Sequence, residues 1–186
     1  MSGAYVRSVT IDDPDQLADV VPGASFRAHA LPAGPFRVEV QTFDLGDIAL
    51  QVGRSSPFAG LAAAAPGRAI LQVPFGNIET LLLNGVALQQ PRIGVYGPGA
   101  ELQRSNPQEN RHFTLTFPAS VVEPLLEPPS NARLFQQGRA CLLRGPAERM
   151  RLAVTLVRQA NLAARRDPQS FEHEQTRSSL LEQSGV

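Results

Sequence analysis

Three histidines and one cysteine are the residues of this chain best suited to hold a metal ion or to attack a substrate. His29, His112 and His173 stand far apart, and none has a second histidine beside it at metal-ligand spacing. A protein metal site needs several such ligands brought close together. The sequence therefore predicts ordinary strand or surface histidines, with no metal ion and no other cofactor.

Nucleophilic chemistry has little support. Cys141 lies in the apolar segment ACLL (140–143), where a lone cysteine usually behaves as a small hydrophobe. Arg139 and Arg144 are near enough in sequence to lower its pKa, so a reactive thiol stays open as the minor alternative. The sequence contains no nucleophile elbow, phosphate-binding loop or dinucleotide fingerprint.

The carboxylates are scattered singly along predicted strands and turns. Glu39 and Glu101 are the two that could face a cavity, although strand carboxylates more often lie on a solvated outer face. Because no acid–base set converges, we expect a binding module and not an enzyme.

The first two thirds of the chain carry the signature of short β-strands. Turn signals recur every eight to twelve residues up to about residue 107, with period-two alternation between them. Gly46-Asp47 and Asn84-Gly85 are predicted to turn one strand back upon the next. The apolar series changes parity after Val40, which predicts a bulge near Gln41-Thr42. One short helix, capped by Asp13-Pro14, is expected to precede all the strands.

The pattern becomes helical after Phe117. A short turn is predicted at 118–126, a long helix at 145–166 and a second helix from about 168 to 181. We therefore divide the chain into a β domain at 1–117 and a helical segment at 118–186. The fold class is α+β, mainly β.

The long helix has an apolar stripe and an arginine-rich side. The stripe needs a partner, which could be the β domain, the second helix or a second copy of the chain. If a second copy is the partner, we expect the dimer contact to be made by Met150, Val154, Val157 and Asn161. The arginines fit a solvated helix face better than a basic surface that meets DNA or an acidic partner.

Charge and hydropathy argue against nucleic acid and membrane as partners of these residues. Seventeen basic residues, all arginine, balance seventeen acidic ones, so charge gives no reason to expect nucleic-acid binding by these residues. No apolar run is long enough for a membrane span, and the N-terminus lacks the pattern of a signal peptide. With a single cysteine, the chain is expected to be cytoplasmic.

The order and spacing of several segments resemble the N-terminal sensor domain of AraC-type transcription regulators. The resemblance spans about residues 9 to 165, and it rests on the segments PFRVEV (35–40), LGDIAL (45–50), PGRAILQVP (66–74), NG (84–85), PGAEL (98–102) and RHFTLTFP (111–118). It is nearest to the branch whose sensor begins with a short acidic helix and has a Leu-Gly-Asp turn.

This resemblance implies a cupin-like β-barrel that binds a small organic effector, followed by helices that form a homodimer. It implies DNA binding only through a helix-turn-helix domain that these 186 residues do not include. Ligand contacts in such a barrel come from side chains pointing into the lumen. The polar residues that interrupt apolar strands are the candidates: Gln72, Tyr96, His112 and Thr114.

Two alternatives remain open. A cupin-type enzyme, such as an isomerase or dioxygenase, would need a metal or a converging acid–base pair, and metal-binding cupins carry two histidines two residues apart, which are missing here. A standalone barrel that serves as a protein-interaction module would use the long helix as its contact surface.

Overall fold

A computed structural model describes residues 6–21, 23–32, 34–76, 78–88, 90, 92–122 and 132–167. Within these ranges the chain forms twelve strands: β1 (Val6–Ile11), β2 (Ala24–Ala30), β3 (Val38–Asp44), β4 (Ala49–Ser55), β5 (Phe58–Ala64), β6 (Arg68–Phe75), β7 (Leu82–Leu83), β8 (Val86–Ala87), β9 (Ile93–Tyr96), β10 (Glu101–Asn106), β11 (Asn110–Pro118) and β12 (Ala140–Leu143). The helices in the same ranges are two 3₁₀ segments (Pro14–Asp19, Ala132–Phe135), α1 (Ala119–Val122) and α2 (Ala147–Arg166). The helix predicted at 168–181 lies outside the described residues.

The strands form two antiparallel sheets, so the mainly-β prediction is confirmed. The large sheet has the order β1-β3-β4-β11-β6-β9-β12, and the small sheet has the order β2-β5-β10-β7-β8. Among the described strands, no strand of one sheet is hydrogen-bonded to a strand of the other. The closed barrel expected from the sequence is therefore not observed. Two facing sheets stand in its place, because the edge strands of each sheet are not paired across the gap.

Strand β3 is regular, and the predicted bulge at Gln41-Thr42 is wrong. Its register with β4 runs without an extra residue from Val38 opposite Ser55 to Asp44 opposite Ala49. The apolar parity changes because the strand is buried on both faces: Val40 faces the small sheet and Phe43 faces the opposite side. A change of parity is therefore a sign of two-sided burial here.

Both predicted tight turns are present. Gly46, with φ of +87°, lies between β3 and β4, and its amide donates to the Asp44 carboxylate. Asn84 and Gly85 both have positive φ and join β7 to β8, which is the geometry that a two-residue hairpin of type I′ requires.

The N-terminal segment differs from the prediction in its order. Strand β1 comes first and pairs with β3, so the short helix does not precede all the strands. The helix itself is a 3₁₀ segment, and its cap is as expected, because the Asp13 carboxylate accepts a hydrogen bond from the Asp15 amide at 3.0 Å.

Helix α2 covers the outer face of the large sheet and seals an apolar core. The buried side chains of this core include Leu50, Phe113, Phe117 and Met150, with Val154 and Val157 packed against them. We refer to this contact as the outer core. The long helix predicted at 145–166 is confirmed with its N-terminus at Ala147.

Strand β12 was not predicted and lies beyond the proposed domain boundary at residue 117. It pairs with β9 and so extends the large sheet. The division into two domains stays a prediction. Within the described residues, no helix has the length and apolar character that crossing a membrane requires.

Candidate ligand-binding site between the sheets

The central strands of the large sheet have an apolar outer face and an inner face on which polar and apolar side chains are mixed. On β11, Phe113 and Phe117 belong to the outer core, whereas His112, Thr114 and Thr116 point toward the small sheet. Strands β4 and β6 alternate in the same sense and place Gln51 and Gln72 on the inner side. The space between the sheets is therefore lined partly by polar groups, which is unusual for a face that packs against another sheet.

Arg104 is a charged side chain that lies buried in this space. It enters from β10 of the small sheet and is 3% exposed. Its guanidinium donates to Asn106 Oδ1 at 3.2 Å, to His112 Nδ1 at 3.0 Å and to Asn110 Oδ1 at 2.7 Å. It also lies 5.3 Å from the centroid of the Phe58 ring, within the range of a cation–π contact.

The groups that contact the Arg104 guanidinium are all neutral. The ion pairs formed among the described residues join Arg37 to Glu39 and join Arg54 and Arg111 to Glu109, so no carboxylate is paired with Arg104. Burial lowers the pKa of Arg104 to about 10, which still leaves it charged at neutral pH. A buried charge without a counter-ion costs free energy, and its presence needs a reason.

His112 is held as a neutral imidazole by this contact. A guanidinium can only donate, so His112 Nδ1 must accept and Nε2 must carry the ring proton. Burial, and then the charge of Arg104, lowers the pKa of His112 well below its ordinary value. The pair therefore carries one positive charge and not two.

Two glycines make room for polar rings on the inner face. A Cβ at Gly53 would lie 2.6 Å from His112 Cε1, and a Cβ at Gly94 would lie 2.6 Å from Tyr96 Oη. Any side chain at these positions would displace the rings. The lack of a side chain at Gly53 and Gly94 therefore helps to position His112 and Tyr96.

Three buried oxygens on the inner face have no hydrogen-bond partner among the described residues. They are Gln72 Oε1, Tyr96 Oη and Thr116 Oγ1. Burial raises the pKa of Tyr96 well above its ordinary value, and the charge of Arg104 offsets part of that rise. Gln51 differs, because its amide donates to Val20 O and Thr42 Oγ1. Unsatisfied buried polar atoms are rare in folded proteins, and each needs a physical explanation such as a bound water, an ion or a functional role.

A cavity of about 60 Å³ lies between the sheets. Its wall includes the inner-face polar residues Gln51, Gln72, Arg104, His112 and Thr114. A water molecule occupies roughly 30 Å³ in the liquid, and drug-sized ligand pockets measure roughly 300–1,000 Å³. In this conformation the cavity suits a small group, and a larger ligand would need the lining side chains to move.

The four ligand candidates chosen from the sequence all face this space. Gln72, His112 and Thr114 line the cavity, and Tyr96 is buried close enough to Arg104 to sense its charge. Their role in binding stays a prediction. Sequence reasoning missed Arg104, Asn106 and Asn110. Arg104 shares strand parity with the buried Leu102, but an arginine in a strand is by default placed outward.

The candidates for the dimer contact lie elsewhere. The apolar stripe of α2 packs on the sheet of its own chain through Met150, Val154 and Val157. Of the three partners considered for this stripe, the β domain is the one observed. Asn161 accepts a hydrogen bond from Arg165. Dimerisation through these residues stays a prediction, and the packing within the chain competes with it.

The other candidates for chemistry do not converge. Glu101 is exposed, Glu39 is paired with Arg37, and Cys141 is half-buried on β12. Within the described ranges, no three His, Cys, Asp or Glu side chains lie together as metal ligands would. The arginines of α2 are exposed, and Arg158 and Arg165 line an open groove with Arg54 and Arg111.

Comparison with known proteins gives one similarity in fold. No protein-family model matches the chain, and no curated protein is significantly similar in sequence. Among solved structures, the AraC-like transcriptional activator CuxR superposes with a TM-score of 0.52 at 9% sequence identity, covering 95% of this chain and 69% of that chain. At such low identity the similarity concerns the fold alone. The described chain thus has a fold similar to that of an AraC-like transcriptional activator.

Proposed function

We propose that this chain is the effector-binding and dimerisation domain of an AraC-type transcription regulator, and that it is not an enzyme. In this proposal the two sheets form a cupin-like binding unit, and a small organic ligand binds between them. The fold similarity to an AraC-like transcriptional activator supports the regulatory role. The ligand-binding role depends on one observation above all, the buried polar face around Arg104.

Polar groups between two sheets lower the free energy of unfolding unless they are fully hydrogen-bonded, and apolar residues of similar shape would pack there at no such cost. Gln72, Tyr96 and Thr116 each keep a buried oxygen without a partner among the described residues. Such a face is explained if a ligand supplies the missing partners.

The ligand proposal can be tested by native mass spectrometry of the purified protein, followed by identification of any retained small molecule. We expect a sub-stoichiometric or stoichiometric adduct that is released on denaturation. The variant Gln72→Leu should reduce the adduct, whereas Gln103→Leu, on the outer face of β10, should leave it unchanged. An adduct of equal occupancy in both variants would contradict binding between the sheets.

The regulatory role has its own test. Deletion of the gene, followed by transcript profiling, should alter a small and reproducible set of transcripts, and complementation should restore them. Complementation by the Gln72→Leu variant should fail while Gln103→Leu succeeds. An unchanged transcript profile would contradict a role in transcription.

A further inference from the structure

The cavity between the sheets has a fixed positive charge in its wall, and the chemistry of that charge indicates what the ligand is. Arg104 is 3% exposed, and its three hydrogen-bond acceptors, Asn106 Oδ1, Asn110 Oδ1 and His112 Nδ1, are all neutral. A guanidinium has five N–H donors, so these contacts leave donor capacity unused.

The geometry points to the carboxylate of a small monoanionic organic acid as the group that binds in this cavity, with Arg104 as its anchor. This inference rests on the proposed function and names the ligand class for the same site. An arginine is suited to such a partner because its planar fork pairs with both oxygens of a carboxylate.

Charge balance favours a single negative charge. The described residues around the cavity contribute one cation, Arg104, because His112 is neutral when its Nδ1 accepts from that guanidinium. A carboxylate supplies one negative charge and leaves the buried site neutral. Phosphate carries roughly 1.5 to 2 negative charges at neutral pH, which would leave an excess of buried negative charge.

Size and donor chemistry agree with this assignment. The cavity of about 60 Å³ accepts a carboxylate and one or two carbons, and it is too small for a sugar or a nucleotide in this conformation. Thr114 also lines the cavity, and its hydroxyl can donate to a carboxylate. The Gln72 amide can present either its oxygen or its NH₂ group after rotation about its last torsion.

The reason for burying the anchor follows from the same chemistry. An arginine on the surface would bind carboxylates weakly because water and salt screen the pair. Deep between the sheets the pair is shielded, and Phe58 and the asparagines fix the guanidinium before the acid arrives. The site is thus preorganised for an anion.

The test is a thermal-shift titration of the full chain with formate, acetate and lactate at constant sodium concentration. Formamide and acetamide serve as neutral analogues of the same shape, and inorganic phosphate serves as the competing anion. We expect the melting temperature to rise saturably with acetate or lactate. The neutral amides should change it little, and phosphate should raise it less than the acids do.

Two variants separate the anchor from surface effects. Arg104→Met should weaken acid binding by about tenfold or more, because it removes a charge-assisted fork. Arg27→Met changes an exposed arginine on the outer face of β2 and should leave acid binding unchanged. If Arg104→Met fails to fold, the comparison of acids with amides in the unaltered protein still decides the question.

The outcomes are distinct. Equal shifts with acids and amides, stronger shifts with phosphate, unchanged acid binding in Arg104→Met or no shift with any acid would each overturn the carboxylate assignment. If in that case native mass spectrometry still shows a retained neutral molecule that Gln72→Leu reduces, the proposed function stands while this inference falls.

Discussion

The two faces of the large sheet are built from the same strands but differ in polarity. The outer face buries Leu50, Phe113 and Phe117 beneath α2, whereas the inner face presents Gln72, His112 and Thr114 to the small sheet. The inner face also carries apolar side chains, among them Val38, Val40 and Ile70, so its polar groups lie within apolar surroundings. Under the proposed function, the outer face serves stability alone, whereas the inner face combines apolar packing with the polar groups proposed to bind the ligand.

This division has a structural consequence. Because α2 and the outer core supply apolar burial, the inner face can hold a charge and unpartnered polar atoms without unfolding the protein. Truncating an apolar side chain of the outer core should therefore destabilise the protein, whereas replacing an unpartnered polar group of the inner face by an apolar one of the same shape should stabilise it.

Phe117→Ala should produce the greatest loss of stability. Phe117 is buried in the outer core and packs edge-on against Phe135, with ring centroids 5.7 Å apart. Removing the ring leaves a cavity that costs about 3–5 kcal/mol in the free energy of unfolding. Urea denaturation measures this loss. Leu162→Ala, at an exposed position of α2, is the control and should change little; comparable losses in both variants would contradict the outer core.

The inner face should make stability depend on pH through His112. Its pKa is lowered in the folded protein, so below about pH 6.5 the unfolded chain binds a proton that the folded chain does not. The free energy of unfolding should therefore fall with decreasing pH, by up to about 1.4 kcal/mol per pH unit.

His112→Gln isolates this effect, because glutamine can still accept from Arg104 but does not titrate. Urea denaturation at pH 7.5, 6.5 and 5.5 should show a shallower pH dependence for the variant. Glu109, whose pKa is lowered mainly by its hydrogen bond with Arg54, titrates below this window. Parallel curves for the variant and the unaltered protein would show that His112 is not buried as a neutral ring.

Thr116→Val should stabilise the protein in the absence of ligand. Thr116 Oγ1 is buried without a hydrogen-bond partner among the described residues, and valine has the same shape. Replacing an unsatisfied hydroxyl by a methyl group should raise the free energy of unfolding by about 1 kcal/mol. Differential scanning calorimetry can detect it, with Thr155→Val on the exposed side of α2 as the matched control. A destabilised Thr116→Val protein would mean that the hydroxyl has a partner.

Arg54→Ala should have the smallest effect. Arg54 pairs with Glu109 at 2.7 Å, but both side chains are about half exposed, at 49% and 48%. Solvent and salt screen such a pair, so the unfolding midpoint at physiological ionic strength should not change measurably. A clear loss would place part of the stability in the surface charges, outside both faces of the sheet.

Much of the architecture could be predicted from sequence because it depends on local signals. Asn84-Gly85 fixes a hairpin through positive φ at both residues, and the apolar period of residues 147–166 fixes a helix. The closed barrel could not be predicted correctly, because whether two sheets join at their edges depends on long-range pairing. Strand β12 was missed for the same reason: its four residues become a strand by pairing with β9.

The candidate site was predictable only in part. Polar residues interrupting apolar strands, such as Gln72 and His112, gave a usable signal, and both face the space between the sheets. Arg104 gave no such signal, because its burial depends on contacts that the local sequence does not reveal. These are the acceptors Asn110 and His112 on β11 and the Phe58 ring of β5. A charged residue becomes plausible in an interior only when such partners are known.

The most direct test of the account is an NMR titration that follows the arginine side-chain Nε–H signals while acetate is added at constant ionic strength. We expect a well-protected signal, assigned to Arg104 through its loss in Arg104→Met, that shifts saturably with acetate and does not shift with acetamide. A protected Arg104 signal that does not respond to acetate, or that responds equally to acetamide, would contradict the claim that the inner face is built around a charge that awaits an anion.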